Sequence, residues 1–525
     1  MKNLLKLTAV IMVILCLSAI GLTATPTRIN LVISDERSID PSLCWSAEDF
    51  VIVYNLFVPL VEFDYAKMKP VPALAKSWDV SADGLVWTFH LRTDVKWTDG
   101  NPVVAEDVEY AFKRIIDPKV ASQQAGQLFL IKNAKDVNTG KADLSALGVK
   151  AIDKQTVQIT LEHPAGYFAS LITQNGFAVP KQAIDKYGDK WTEAANIVTN
   201  GPYKLTKWTH QNEYVLEKNP NYYDAKHVTI QEVHYYYILE DSTAMSMYQA
   251  GQLDSVNVPA ADIDRVKSDP VLSKQFHNGP LLITLEVPFN TEKPPFDNVL
   301  VRKAFTAAID REALVKYIMK GGQQPAYTFT PPGCLGSVPA SAGMGIRFNV
   351  EQARKYLAQA GYPGGKGLPE ITYVFNTSEA NQNVAQALQQ MWKDNLGVNV
   401  KIAAQESKTY WDLIVSGSFQ FWRMGFNAYY PDANAFVYDA FHSKYGENTI
   451  RWHNADYDRL TEQAGIESNP TKRAALYRQA EKILCQDQCV IIPLWYYAYN
   501  IVTKPNLVRD YNPSLLNNIK NWKLE

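Results

Sequence analysis

The 525-residue chain is 46% hydrophobic and 20% charged. That excludes a disordered or fibrous protein and suggests two to four structural units at about 150 residues each. A formal net charge of −2 leaves no basic field for nucleic acid. The 12 Trp, 29 Tyr and 20 Phe supply rigid rings for a core, with a surplus able to line a pocket.

The N-terminus reads MKNLLKLTAVIMVILCLSAIGLTATPT, with Lys2 and Lys6 ahead of an apolar run from Leu7 to Leu22 and small residues at Thr23–Thr25. This predicts a secretory signal peptide over residues 1–24, cut near Ala24. The run is shorter than the ~20 apolar residues of a membrane span. Cys16 raises lipidation as an alternative, but bulky Leu15 stands where lipoprotein signals carry a small residue. No later apolar run is long enough to span a bilayer, so the mature chain is expected to be soluble and exported. It keeps Cys44, Cys334, Cys485 and Cys489 in a compartment that permits disulfides. A Cys485–Cys489 bridge has no proper geometry within a regular helix but is open to a frayed turn. C-x3-C without a nearby His is a poor zinc signal, and no metal or other cofactor is expected.

RINLVIS and DFVIVYNLFVPLVEF are the first strand candidates. Trp87, Phe89 and Leu91 alternate with polar residues and predict a strand, followed by a turn at Asp99-Gly100. Val108, Ala111, Phe112, Ile115 and Ile116 have helical spacing, stopped by Asp117-Pro118. Gly201-Pro202 lies between strand-like runs. Val301, Ala304, Phe305, Ala308 and Ile309 form one helix face, and Asp310 is placed to cap the next helix. NVAQALQQMWKDNLGVNVKI reads as a helix ended near Gly397 and then a strand, and NPTKRAALYRQAEKIL as another amphipathic helix. Strands and helices mix throughout, so the class is α/β or α+β. No low-complexity linker separates the units, which suggests domains joined by several crossings that meet at a cleft.

Catalytic signatures are missing: there is no H-E-x-x-H, G-x-S-x-G, P-loop or G-x-G-x-x-G after a strand. The eight His residues are scattered with no i, i+4 pair; His442 and His453 are open to belonging to some site, but lone histidines are more often surface or satisfied core groups. Pairs such as Glu106-Asp107 read as solvated faces. An enzyme is therefore not expected, although catalysis assembled from distant residues stays open.

Nine segments occur in the order of one family: WTFHLRTDVKWTDGNPV, VKAIDKQTVQITL, WTEAANIVTNGPYKLTKW, LEKNPNYYD, KPPFDNVLVRKAFTAAIDRE, PAYTFTPPG, ARKYLAQAGYP, MWKDNLGVNVKI and RAALYRQAEKIL. Through them the chain resembles the extracytoplasmic oligopeptide-binding proteins of peptide ABC importers, over roughly residues 30–505. The resemblance implies an α/β, periplasmic-binding-protein-like fold of three domains. A discontinuous lobe would comprise 25–57, 186–282 and 498–525, an inserted domain 58–185, and a second lobe 283–497. The two lobes would close over a central cleft and hold an extended peptide as an added strand, with side chains in hydrated pockets. The partners implied are a short peptide and the permease subunits of an ABC transporter. No nucleic acid is implied, and the chain would act as a monomer.

The implied ligand-binding residues are Trp45, Ser46, Ala47, Asn381, Arg423, Gly425, Phe426, Asn427, Tyr429 and Tyr497. They centre on FQFWRMGFNAYYPDANAF, where Gly425 in a short exposed strand would let a ligand backbone approach. The family carries an aspartate for the peptide ammonium where this chain has Tyr429. Basic positions of some relatives fall at Met319, Asn381 and Ile414, and a cysteine pair of some relatives at Ile283 and Asn427. An unpaired buried charge costs ~3–5 kcal/mol, whereas a Tyr face offers an ammonium ~0.5–2 kcal/mol. Three readings follow: another acid (Asp432, Glu48 or Asp49) takes the amine, the ligand is a blocked or cell-wall peptide, or it is an oligosaccharide. An exported adhesin or enzyme on the same scaffold is the competing class.

Overall fold

The structure is a computed structural model describing residues 27–34, 38–44, 46–427, 430–467, 469–514, 516 and 518–525, without the side chain of Ala47. The signal peptide, Cys16, Trp45 and Tyr429 lie outside the described residues.

The strand Arg28–Ile33 pairs in parallel with Glu232–Tyr237, which continues through Glu213–Lys218 to Tyr203–Thr209 in a four-stranded sheet. Gly201-Pro202 leads directly into this last hairpin. A second four-stranded sheet is fully antiparallel: Ala75–Val80, Val86–Leu91, Thr156–Thr160 and Val149–Asp153. The helix Ala105–Ile116 belongs to this part of the chain and buries Val108, Ala111, Phe112, Ile115 and Ile116, the spacing the sequence predicted.

A three-stranded parallel sheet orders Lys401–Gln405, Thr372–Asn376 and Phe421–Trp422. Phe305, Trp392 and Phe421 meet in its core, with ring centroids 5.3–6.0 Å apart. The helix Glu379–Leu396 ends on Gly397 at φ 74°, a left-handed cap that glycine adopts without a Cβ clash. Asp310 caps the next helix as expected, its carboxylate accepting from the Ala313 amide at 3.0 Å.

Two 13-residue strands, Phe276–Pro288 and Ile491–Thr503, run antiparallel to each other. At one end Ile491–Thr503 pairs with Ser255–Asn257. Toward the other end Phe276–Pro288 pairs with Met424–Asn427. Register shifts between Pro280 and Thr284 and between Leu285 and Glu286 break the ladder midway. Such irregularities bend a strand and raise its twist. Helices and strands alternate through most of the chain, and the fold class is α/β.

One expected strand is a helix. DFVIVYNL lies in the helix Ala47–Leu56 instead. Ser46 starts it with a capping box: its hydroxyl accepts from the Asp49 amide at 3.2 Å, and Asp49 accepts from the Ser46 amide at 3.1 Å. Phe50, Ile52, Val53, Tyr54 and Leu56 are all buried. A helix apolar all round is stable when every face is covered, and that burial overrides the β-propensity of Val and Ile. Among the described residues, no helix is long and apolar enough to cross a membrane.

Candidate functional site

Arg423 stands where the chain passes from one sheet to another. Phe421–Trp422 joins the parallel sheet and Met424–Asn427 the long antiparallel one. The Arg423 amide donates to Val374 at 2.8 Å, and its carbonyl accepts from the Tyr410 hydroxyl. The guanidinium is thereby held. Nη2 donates to the Tyr497 hydroxyl at 2.8 Å and Nη1 to Asn376 Oδ1 at 3.4 Å. Asn381 Nδ2 donates to the same Oδ1 at 3.1 Å. Three residues expected at the site, Asn381, Arg423 and Tyr497, therefore share one polar cluster.

Several buried polar atoms around this cluster have no hydrogen-bond partner: Arg423 Nε, Asn427 Oδ1 and both carboxylate oxygens of Glu286. Unmet groups of this kind are costly, and a cluster of them calls for an explanation. Glu286 is 1% exposed. Burial pushes its carboxyl well above the ordinary range, against the pull of Arg423. Met424–Asn427 is an edge strand. One side pairs with Ile283–Glu286, and no described strand pairs with the other. A Cβ built on Gly425 would meet nothing closer than 3.7 Å, so the chain's own packing does not demand glycine there.

Other expectations are corrected. Phe426 is core: it is 4% exposed and packs on Phe329 and Phe436 at 5.5 and 5.3 Å. Phe421, Trp422 and Tyr430 are likewise buried, so the aromatic run is largely interior packing rather than a ligand surface. The Ser46 hydroxyl accepts at a helix start. Cys485 and Cys489 form no bridge. Both are buried free thiols: Cys485 lies on the π-helical turn Ile483–Asp487 against Glu481, and Cys489 lies just past it against Thr306.

The acids expected to take a ligand amine are already engaged. Asp432 pairs bidentately with Arg473, two contacts of 2.7 Å, and caps the helix Ala433–Phe441 through the Asn434 amide. Asp49 closes the capping box. Glu48 borders a separate cavity of about 170 Å³.

A far larger cavity, about 1830 Å³, lies between residues 123–171 and 406–466. Phe129, Tyr167, Trp411, Tyr438 and Tyr445 give it aromatic walls. None of the described residues expected from the sequence lines it. Hydrogen bonds nonetheless connect its wall to the Asp432–Arg473 pair. Arg473 donates to the Tyr477 hydroxyl (3.2 Å), Tyr477 to Asn434 Oδ1 (2.8 Å), Asn434 Nδ2 to the Tyr430 hydroxyl (2.8 Å) and Tyr430 to Asp439 Oδ2 (2.9 Å). Tyr430 also stacks on Tyr167 at 5.7 Å. Asp439 and Glu447 face the cavity, and sequence reasoning passed over both. Nothing in YDAFHSKYGEN distinguishes an inward acid from a solvated one; only the fold around the helix Ala433–Phe441 does.

Residues 69–448 match the model for bacterial extracellular solute-binding proteins, family 5 Middle. The chain is 36% identical over 480 residues to the periplasmic oligopeptide-binding protein OppA of Escherichia coli (strain K12), covering 90% of this chain and 87% of that one. Among solved structures it resembles a periplasmic oligopeptide-binding protein (OppAIV) from Borrelia burgdorferi, with TM-score 0.86 and 31% identity over 95% of this chain and all of that one. It also resembles Haemophilus influenzae OppA in complex with RPPGFSPFR, with TM-score 0.84 and 30% identity over 95% of this chain and 99% of that one. A capless edge strand, a cluster of unmet polar atoms and a deep cavity suit binding, and the relatives bind solutes rather than transform them. The chain belongs to the bacterial extracellular solute-binding proteins, family 5.

Proposed function

We propose that this protein binds short peptides outside the cytoplasm and delivers them to the permease subunits of an ABC importer. The observation that carries the reading is the edge strand Met424–Asn427, whose outer side has no described strand partner. An extended peptide adds to such an edge through its backbone, so affinity comes without dependence on sequence. Gly425, which the chain's own packing leaves free to carry a side chain, gives the ligand backbone room. Arg423, Asn427 and Glu286 offer unmet polar atoms beside it, and a cavity of about 1830 Å³ walled by residues 123–171 and 406–466 has room for several side chains. The names of the relatives point the same way.

In this reading the protein is a periplasmic monomer. The lobe of residues 25–57, 186–282 and 498–525 closes on the lobe of 283–497, with 58–185 inserted. The broken ladder of the two long strands is the flexing element. Calorimetry with tri-alanine and a backbone N-methylated tri-alanine tests the binding mode. The parent peptide is expected to bind and the methylated one to lose at least about tenfold, since each lost strand bond is worth ~1 kcal/mol and a methyl blocks the approach. Equal affinities would refute strand addition.

A further inference from the structure

The large cavity is lined by seven acidic side chains and four Lys or Arg. The four cations are already occupied. Lys408 pairs with Asp412 at 2.9 Å and Arg459 with Asp456 at 3.0 Å. Lys135 and Lys444 lie over the Tyr445 ring at 4.4 and 4.9 Å. Most of the acids are occupied too: Glu462 faces His442 at 3.1 Å, Glu406 caps a helix, and Glu162 accepts the Asn133 amide.

Asp439 and Glu447 differ. Their backbones meet, the Glu447 amide donating to the Asp439 carbonyl at 2.8 Å, and both residues line the same cavity. Tyr430 and Asn434 orient Asp439, at 2.9 and 3.2 Å. No described Lys, Arg or His nitrogen lies within 4.0 Å of either acid. A third acid stands behind them. Glu286 is 1% exposed with neither oxygen hydrogen-bonded, and its charge and that of Glu447 oppose each other. Burial raises the Asp439 carboxyl to about 7. Glu447 is exposed on the cavity wall beside it. Uncompensated carboxyls in a low-dielectric recess gain most from a partner of opposite charge. Tyr438, whose ring also lines the cavity, adds a face that favours a cation.

We infer that Asp439 and Glu447 form a cation subsite of the ligand cavity, taking an ammonium or guanidinium group of the bound solute. This rests on the peptide-binding reading and names the ligand class that it favours: peptides carrying a positive charge at this point. The charge has two sources, the α-ammonium or a basic side chain, and the test separates them.

Calorimetry at pH 7 would compare Ala-Lys-Ala, Ac-Ala-Lys-Ala, Ala-Nle-Ala and Ac-Ala-Nle-Ala on the full-length mature protein, on Asp439→Asn and on Glu447→Gln. The amides match the protonated acids in shape, and Asp439→Asn keeps one oxygen for the Tyr430 hydroxyl while giving up the longer contact from Asn434. A circular dichroism melt checks that the variants keep the fold. Each substitution should weaken the cationic peptides about 10- to 100-fold, the range for hydrogen bonds to a charged group. Ac-Ala-Nle-Ala, which carries no cation, should not be weakened. Sensitivity to acetylation assigns the α-ammonium, and sensitivity to norleucine assigns the side chain. If the cation-free peptide weakens as much, or no peptide responds to the substitutions, the subsite is refuted while peptide binding stands. If no peptide binds the wild type, the peptide reading fails. Spermidine then tests the subsite alone: binding lost in Asp439→Asn keeps it, and no binding overturns it.

Discussion

Replacing Asp432 by Asn separates stability from ligand recognition. Its carboxylate makes two 2.7 Å contacts to Arg473, with side chains 9% and 6% exposed, so neither charge has water to fall back on. The Arg473 guanidinium further lies over the Tyr167 ring at 5.1 Å and donates to Tyr477. Removing one member of such a pair leaves a buried charge and costs ~3–5 kcal/mol. Asn keeps an oxygen for the Asn434 amide, so the helix cap survives; Asp432→Ala forfeits it and costs ~1 kcal/mol more. For a cooperative unit of ~200 residues, the Asn variant should lower Tm by roughly 6–15 °C in a calorimetric melt. Asp432→Asn with Arg473→Met should recover most of the loss, because the orphaned charge is gone. Peptide affinity should change by less than about threefold, a value set by the expectation that Asp432 makes no ligand contact. A drop under ~1 kcal/mol, or additive single and double variants, would refute the ion-pair argument. A large loss of amine-dependent binding would return Asp432 to the role of ligand anchor.

Gly425→Ala should leave Tm nearly unchanged, since its Cβ meets only ordinary contacts at 3.7–3.8 Å, yet weaken tri-alanine about tenfold or more if a peptide backbone lies against it. Tyr497→Phe removes the 2.8 Å bond to Arg423 and should cost ~1–2 kcal/mol in a urea titration, read as a lower midpoint at constant slope. The native protein should leave Cys485 and Cys489 unreactive toward a thiol reagent, with both reacting in guanidinium, and a reductant should not shift Tm. Asp439 is raised from 3.8 to about 7 by burial, with Glu447 and Asp432 adding to the rise and the Tyr430 hydrogen bond opposing it. The folded chain then binds more protons than the unfolded one between those values. Its ligand-free stability should therefore fall as pH rises from about 4 to about 7. The Asp439→Asn, Glu447→Gln double variant should flatten that slope in melts across the same range.

Much of the fold was legible because local rules and global packing agree. The helix Ala105–Ile116, the Asp310 cap and the Gly397 stop each follow from spacing or from a residue's own chemistry. The helix Ala47–Leu56 was misread because a fully buried segment shows no periodicity, and Val and Ile then speak for a strand. The site was legible only in part. Asn381, Arg423 and Tyr497 do share a cluster, although 42 and 74 residues separate Arg423 from the other two. Phe426 was misassigned because an aromatic in a strand looks the same facing core or cleft. Asp432 was misassigned because its partner Arg473 lies 41 residues away, on another helix. Asp439 and Glu447 gave no signal, since a carboxyl's neighbours are set by tertiary contacts and not by its position along the chain.

Native mass spectrometry of the protein purified from its own host, with the retained ligand released and sequenced, tests the central claim most directly. A mixed population of short peptides is the expected result. A single non-peptide solute, such as an oligosaccharide, retained at one per chain would contradict the account.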